Sequence, residues 1–144
     1  MYNIDPARLH LEVTESAIMD DPTNHLQLIA RLRKRGFIVE IDDFGSGYSS
    51  LNMLKDLDAD VLKIDMGFLQ KTTNPEKSTT ILKMIIALAK SLNMQVITEG
   101  VEKLEQVEFL SRFGCDIYQG FYFAKPMPVE DFETLYLNKR FRMK

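Results

Sequence analysis

The chain has 144 residues, 45% apolar and 27% charged, enough for one domain with its own core. Its formal net charge of −3 excludes broad electrostatic binding to a nucleic-acid polymer, but leaves room for one small phosphorylated ligand held through metal ions. No apolar run approaches the roughly 18 residues that cross a bilayer. The opening MYNIDPARLH has no apolar signal core and Cys115 is the single cysteine, so a reducing, cytoplasmic setting is expected. A membrane anchor elsewhere in a longer parent protein is compatible with that reading.

Leu9–Thr14 reads as the first strand. Asp21-Pro22 supplies an N-cap and a first-turn proline. Leu26, Ile29 and Leu32, with Leu28 beside them, form a helical stripe, and Gly36 ends that helix. Phe37–Asp42 is the next strand, followed by the Gly/Ser-rich DFGSGYSS. A short helix over 50–57 leads to the strand Val61–Asp65. A long helix runs from Pro75 to about Leu92, with Ile81, Met84, Ile85, Leu88 and Leu92 on its expected inner face and Asn93 as a left-handed cap. Strand Gln95–Glu99, a helix over 104–113 ended by Gly114, and strand 116–119 follow. After the irregular FYFAKPMP, a last helix is expected over 129–141. Strand–helix alternation throughout predicts parallel strands joined by right-handed crossovers, with no self-similarity at a fixed period.

Charged groups gather at or near the strand ends: Glu12 and Glu15, Asp42 and Asp43, Lys63 and Asp65, Glu99 and Glu102, with Gln119 on the last. In a parallel sheet those ends share one side, the side on which (β/α)8 barrels carry their chemistry. Several carboxylates meeting one lysine repel one another unless hard divalent cations neutralise them, and oxygen ligands suit Mg²⁺ or Mn²⁺. The adjacent Asp42-Asp43 suits two ions, one carboxylate bridging both. Two ions about 3.5–4 Å apart can serve a phosphodiester. At this level a metal-dependent aldolase- or enolase-like barrel is an alternative.

Five motifs narrow the choice. Leu11-Glu12-Val13-Thr14-Glu15-Ser16 resembles the LExTES strand of the EAL domain family, the bacterial cyclic di-GMP phosphodiesterases. The segment from Asp42 to Leu51 resembles its DDFGTGYSSL loop, with Ser46 for Thr. Leu62-Lys63-Ile64-Asp65 matches LKID, and Glu99-Gly100-Val101-Glu102 matches EGVE. Gln119-Gly120-Phe121-Tyr122-Phe123 with Lys125-Pro126 resembles QGYxF…KP. The resemblance implies that Glu12, Asp42, Asp43 and Glu99 bind metal, two Mg²⁺ or Mn²⁺ ions in the intact site. It implies that Lys63, Glu99 and Gln119 work around the attacking water. Glu15 and Glu102 support the site, Glu15 by anchoring DFGSGYSS, and Asp65 orients Lys63 or meets the ligand.

What the resemblance covers is the C-terminal part of a single such domain, residues 1–144. It implies an incomplete TIM-type barrel of about five parallel βα units. The family's Glu-Ala-Leu glutamate and an asparagine ligand lie upstream of everything matched here. Glu108-Phe109-Leu110 and Glu133-Thr134-Leu135 have Glu-x-Leu form but read as helix interior. The intact domain is therefore expected to hydrolyse cyclic di-GMP to linear pGpG, and this chain alone to do so feebly or not at all. The alternative is a non-catalytic cyclic di-GMP-binding or dimerisation module. Expected partners are cyclic di-GMP, a second copy in a homodimer, and upstream sensory or nucleotide-cyclase domains in the parent. His10 and His25 read as surface residues, Cys115 as a small buried one, and the methionines as core filling. Phe121, Tyr122 and Phe123 read as core or base-stacking rings.

Overall fold

A computed structural model describes residues 4–45, 51–67 and 73–137, without the side chains of 51–53. The loop residues 46–50 of DFGSGYSS and the basic tail 138–144 lie outside that description. The strands are β1 (His10–Thr14), β2 (Ile38–Phe44), β3 (Val61–Asp65), β4 (Gln95–Glu99) and β5 (Ile117–Tyr118). They form one parallel sheet in the order β1-β2-β3-β4-β5. The helices among the described residues are α1 (Glu15–Asp20), α2 (Pro22–Lys34), α3 (Leu51–Asp56), α4 (Pro75–Ser91), α5 (Leu104–Ser111) and α6 (Val129–Phe132). A π-helical turn, Glu133–Leu137, continues α6. Consecutive parallel order with right-handed crossovers puts every connecting helix on the same face. Such a sheet curls toward a barrel, and its other face becomes the lumen.

The two faces follow from the period of two along each strand. Val39, Ile41, Leu62, Ile64 and Val96 point outward and meet Ile18, Ile29, Leu82, Ile86 and Leu110 from the helices in one core. Each is at most 1% exposed, and burying such a side chain is worth about 1.5–3 kcal/mol. The alternate positions face the lumen. Glu40, Val61, Lys63 and Ile97 are buried there, outside the helix–sheet core.

Local chemistry sets the ends of the elements. The Asp21 side chain accepts from Asn24 N–H, with Pro22 in the first turn of α2. Gly36 ends α2 at φ 90 and Asn93 ends α4 at φ 60, both left-handed as their residue types favour. At the floor, the N-terminal end of the strands, one clasp occurs twice. Asp60 takes the Val39 N–H at 2.9 Å and gives its own N–H to Val39 O, while Arg33 from the end of α2 grips its carboxylate. Asp116 does the same with Val96, held by Lys90 from the end of α4. Sequence inspection showed no fixed repeat period; the structure repeats this device because each clasp needs only three residues.

Three expectations need correction. The inner face of α4 is Ser78, Leu82, Ile86 and Ala89, with Ile85 and Leu88 partly buried, whereas Ile81, Met84 and Leu92 are exposed. Two adjacent stripes are apolar, and the sheet takes the one whose small residues, Ser78 and Ala89, allow close approach. Met66 and Met94 fill the core as expected, but Met19 and Met84 do not. His10 is exposed, as expected, and pairs through Nδ1 with buried Glu40. Phe121, Tyr122 and Phe123 are exposed rather than core. The short helix α1 escaped sequence inspection: its cap is the last residue of β1, Thr14, whose hydroxyl accepts from Ala17 N–H.

Candidate metal centre

Strands β1 to β4 deliver acidic groups to the other end of the sheet, the rim. Registers Thr14↔Asp42 and Asp65↔Glu99 bring the strand ends level. Adjacent residues of a regular strand point to opposite faces, which would part Asp42 from Asp43. The structure avoids this with a register shift between Ile41 and Phe44 and with Asp43 in the left-handed region, φ 57. Asp tolerates that conformation better than most residues. Gly100 follows Glu99 in the same way at φ 73. Both strands therefore turn sharply at the residue after their carboxylate.

The result is a trio. One carboxylate oxygen from each of Asp42, Asp43 and Glu99 lies within 4.8 Å of the other two. Lys63, 4% exposed on the lumen face of β3, reaches across it. Its ammonium is 2.8 Å from Asp42, 2.9 Å from Glu12 and 3.3 Å from Glu99. Glu12 stands outside the trio and joins it through Lys63. Burial alone would lower the lysine pKa, but Asp42, Glu12 and Glu99 outweigh it and hold the ammonium above its ordinary value. Burial pushes the Glu99 carboxyl up; Lys63 opposes this, while Asp42 and Asp65 add to it.

The donor set fits a hard divalent cation. Asp42 Oδ1 is buried and lacks a hydrogen bond of proper geometry, despite its ion pair to Lys63. One ammonium cannot neutralise four surrounding carboxylates, and oxygen-only ligands are those Mg²⁺ and Mn²⁺ prefer.

The remaining sequence-derived residues surround this trio. Glu15, 4% exposed, accepts from Gly45 N–H at 3.1 Å at the start of the DFGSGYSS loop. Asp65, Glu99, Glu102, Gln119 and Phe121 line a recess of about 230 Å³ beside it. Asp65 also accepts from Gly67 N–H. Main-chain bonds fix Gln119, whose N–H donates to Thr98 O and whose carbonyl accepts from Val101 N–H. Gly120 packs on the Val101 backbone so closely that any Cβ there would collide with it. Glu40 was not singled out in the sequence. Its signal was a charge two residues before Asp42 on the same face of a strand.

A larger recess of about 590 Å³ opens at the floor between Arg33, Asp58, Asp60 and Gln95. Arg33 pairs with both of its aspartates, so the chemistry belongs to the rim.

Fold and site together define a barrel-type α/β domain with an acidic cluster that could hold a metal ion at its rim. The EAL domain family model matches residues 1–126, and the chain belongs to that family. A bifunctional diguanylate cyclase/cyclic di-GMP phosphodiesterase of Pseudomonas aeruginosa, MucR, is 44% identical over 129 residues, 90% of this chain and 19% of MucR. A MucR phosphodiesterase structure in complex with c-di-GMP superposes with a TM-score of 0.81, covering 89% of this chain and 52% of that one. The manganese/cyclic di-GMP complex of Klebsiella pneumoniae BlrP1 does so with a TM-score of 0.77 at 30% identity, covering 85% of this chain and 31% of that one. The chain thus spans about half of one solved relative and less of the others. Its five parallel βα units match the TIM-barrel-like fold of these structures. Among the described residues no helix is long and apolar enough to cross a membrane.

Proposed function

We propose that this chain carries the larger part of a metal-dependent site for hydrolysis of cyclic di-GMP to linear pGpG. The observation that carries the reading is the convergence of Asp42, Asp43 and Glu99 on one point beneath Lys63. Relatives that are cyclic di-GMP phosphodiesterases, and solved relatives holding manganese with the dinucleotide, support it. In this reading Glu12, Asp42, Asp43 and Glu99 would hold two Mg²⁺ or Mn²⁺ ions. The ions would supply Lewis-acid activation of the phosphodiester and of the attacking water.

The protein's own groups do the rest. Lys63 keeps its proton and so is no base; it orients the water or offsets charge developing on the phosphate. Gln119 hydrogen-bonds beside Glu99. Glu15 holds the loop after Asp43, and Glu102 and Asp65 wall the recess where the ligand enters. The domain works in the cytoplasm, pairs as a homodimer and responds to upstream sensory or cyclase domains.

The 144 residues on their own are expected to turn over feebly or not at all, because the family's Glu-Ala-Leu glutamate and asparagine ligand are not among them. Incubation of purified chain with cyclic di-GMP and Mn²⁺, followed by chromatography for pGpG, tests this; robust turnover contradicts it. The surplus of carboxylates engaged by Lys63 favours a second reading, in which the dinucleotide is held without turnover. Titration with cyclic di-GMP, with and without Mn²⁺, separates the two.

A further inference from the structure

The surface charge is distributed unevenly between the two ends of the sheet. The last turn of α2 and its cap hold four cations in five residues, Arg31, Arg33, Lys34 and Arg35. One or two basic side chains at a helix C-terminus complement its dipole; four exceed that need. Arg33 turns inward to Asp58 and Asp60. Arg31, Lys34 and Arg35 are exposed, and their spacing of three and four residues puts them on one face of the helix. The short turn Pro6–Arg8 lies against the end of α2. Pro6 sits beside Gly36, and Leu9 O accepts from Ile38 N–H at 3.3 Å. This brings exposed Arg8 to the same end of the molecule. Arg8, Arg31, Lys34 and Arg35 make no ion pair among the described residues. Leu92, 41% exposed, lines the floor recess together with Ala7 and Arg33, so an apolar side chain sits beside these cations.

We propose that this basic collar at the floor is a docking surface for an anionic lipid bilayer. The two ends of the sheet differ in sign, because the rim carries Glu12, Asp42, Asp43 and Glu99 around one lysine. A flat anionic surface attracts the floor and repels the rim. The molecule therefore docks floor-down, with its carboxylates facing away from the membrane and open to a soluble ligand. The recess beside the collar is lined by Asp58 and Asp60, which repel an inserted acidic side chain. That disfavours an acidic polypeptide, whereas a bilayer needs no recess. A net charge of −3 disfavours a nucleic-acid polymer. Long Lys and Arg stems around an apolar leucine suit an interface where charged headgroups meet acyl chains. Each basic residue close to an anionic membrane strengthens binding about fivefold, so the four act as one reversible attachment. The inference stands apart from the phosphodiesterase reading.

The test is co-sedimentation of the full 144-residue chain with phosphatidylcholine vesicles, with and without phosphatidylglycerol. Binding is expected only where phosphatidylglycerol is present, and salt should weaken it. The triple variant Arg31→Glu, Lys34→Glu, Arg35→Glu should bind about 100-fold more weakly or worse. Its control, Lys77→Glu, Lys83→Glu, Arg112→Glu, has the same net charge and should bind as the parent does. Should the first triple misfold by circular dichroism, glutamine at the same three positions keeps good helix formers and must still weaken binding. An amine-reactive label should miss Lys34 on vesicles and still reach Lys77, at the rim end of α4. No binding to phosphatidylglycerol vesicles, unchanged binding in the collar variants, or equal loss in the control overturns the proposal. So does soluble polyglutamate or duplex DNA that binds the collar more tightly than the vesicles do.

Discussion

The two ends of this sheet treat their acidic residues in opposite ways. At the floor each one has a cationic or main-chain partner: Asp60 takes the Val39 N–H and shares Arg33 with Asp58, Asp116 has Lys90 and the Val96 N–H, and Glu40 has His10. At the rim, Glu12, Asp42 and Glu99 share the single ammonium of Lys63, and Asp43 closes the trio with no ion pair among those described. Paired carboxylates fix strand positions and contribute to stability. Crowded carboxylates cost stability, and a chain keeps them where a bound cation repays the cost. The same residue type therefore serves structure at one end and ligand binding at the other.

Substitutions at the two ends should separate these roles. The largest effect is expected at the rim. Asp42→Asn should weaken Mn²⁺ binding by about 100-fold or more, beyond the 10–100-fold that loss of an outer partner costs, as read from the electron paramagnetic resonance signal of free Mn²⁺. Next, at the floor, Asp60→Ala strands the Val39 N–H and Arg33. It should cost about 1–3 kcal/mol in urea unfolding while leaving the Mn²⁺ constant unchanged. A smaller effect of opposite sign belongs to Asp43→Asn. Asn accepts the left-handed backbone at this position and removes one repelling charge. The metal-free chain should therefore gain about 0.5 kcal/mol, measured by thermal unfolding in chelator, while Mn²⁺ binding falls.

The smallest effect is a pH dependence at the floor. Burial works against ionisation of Asp116, but Lys90 and the Val96 N–H prevail and hold its carboxyl below the ordinary range. The folded value lies below the unfolded one, so its contribution is fully present above the ordinary carboxylate value of about 3.9. That contribution fades as the pH falls through the lower folded value. Urea midpoints of the parent chain and Asp116→Asn should therefore differ at pH 6 and converge in that acid window. A gap that stays constant with pH would remove Asp116 from the account.

Much of this was legible in the sequence. Val61–Asp65 and Gln95–Glu99 appear as strands with the bounds their β-branched runs suggest, and Gly36, Asn93 and Gly114 mark the helix ends. Asp42, Asp43, Glu99 and Lys63 could be gathered at one rim because parallel strands leave their C-terminal ends on one side. What stayed hidden depends on tertiary choice. Periodicity alone could not tell whether Ile81–Ile85–Leu88 or Leu82–Ile86–Ala89 would face the sheet, since both stripes are apolar. The Glu40–His10 pair needs the β1–β2 register, which no local pattern encodes. Whether Phe121 would be a core or a base-stacking ring stayed open in the sequence, and the structure exposes it. That Glu12 meets the trio only through Lys63 depends on side-chain reach across strands.

The central claim is that the rim carboxylates form a cation site and the floor carboxylates do not. It is tested most directly by titrating the parent chain, Asp43→Asn and Asp60→Ala with Mn²⁺ under identical conditions. Saturable binding in the parent and in Asp60→Ala, with loss in Asp43→Asn, is the predicted result. Binding that survives Asp43→Asn but disappears in folded Asp60→Ala would contradict it.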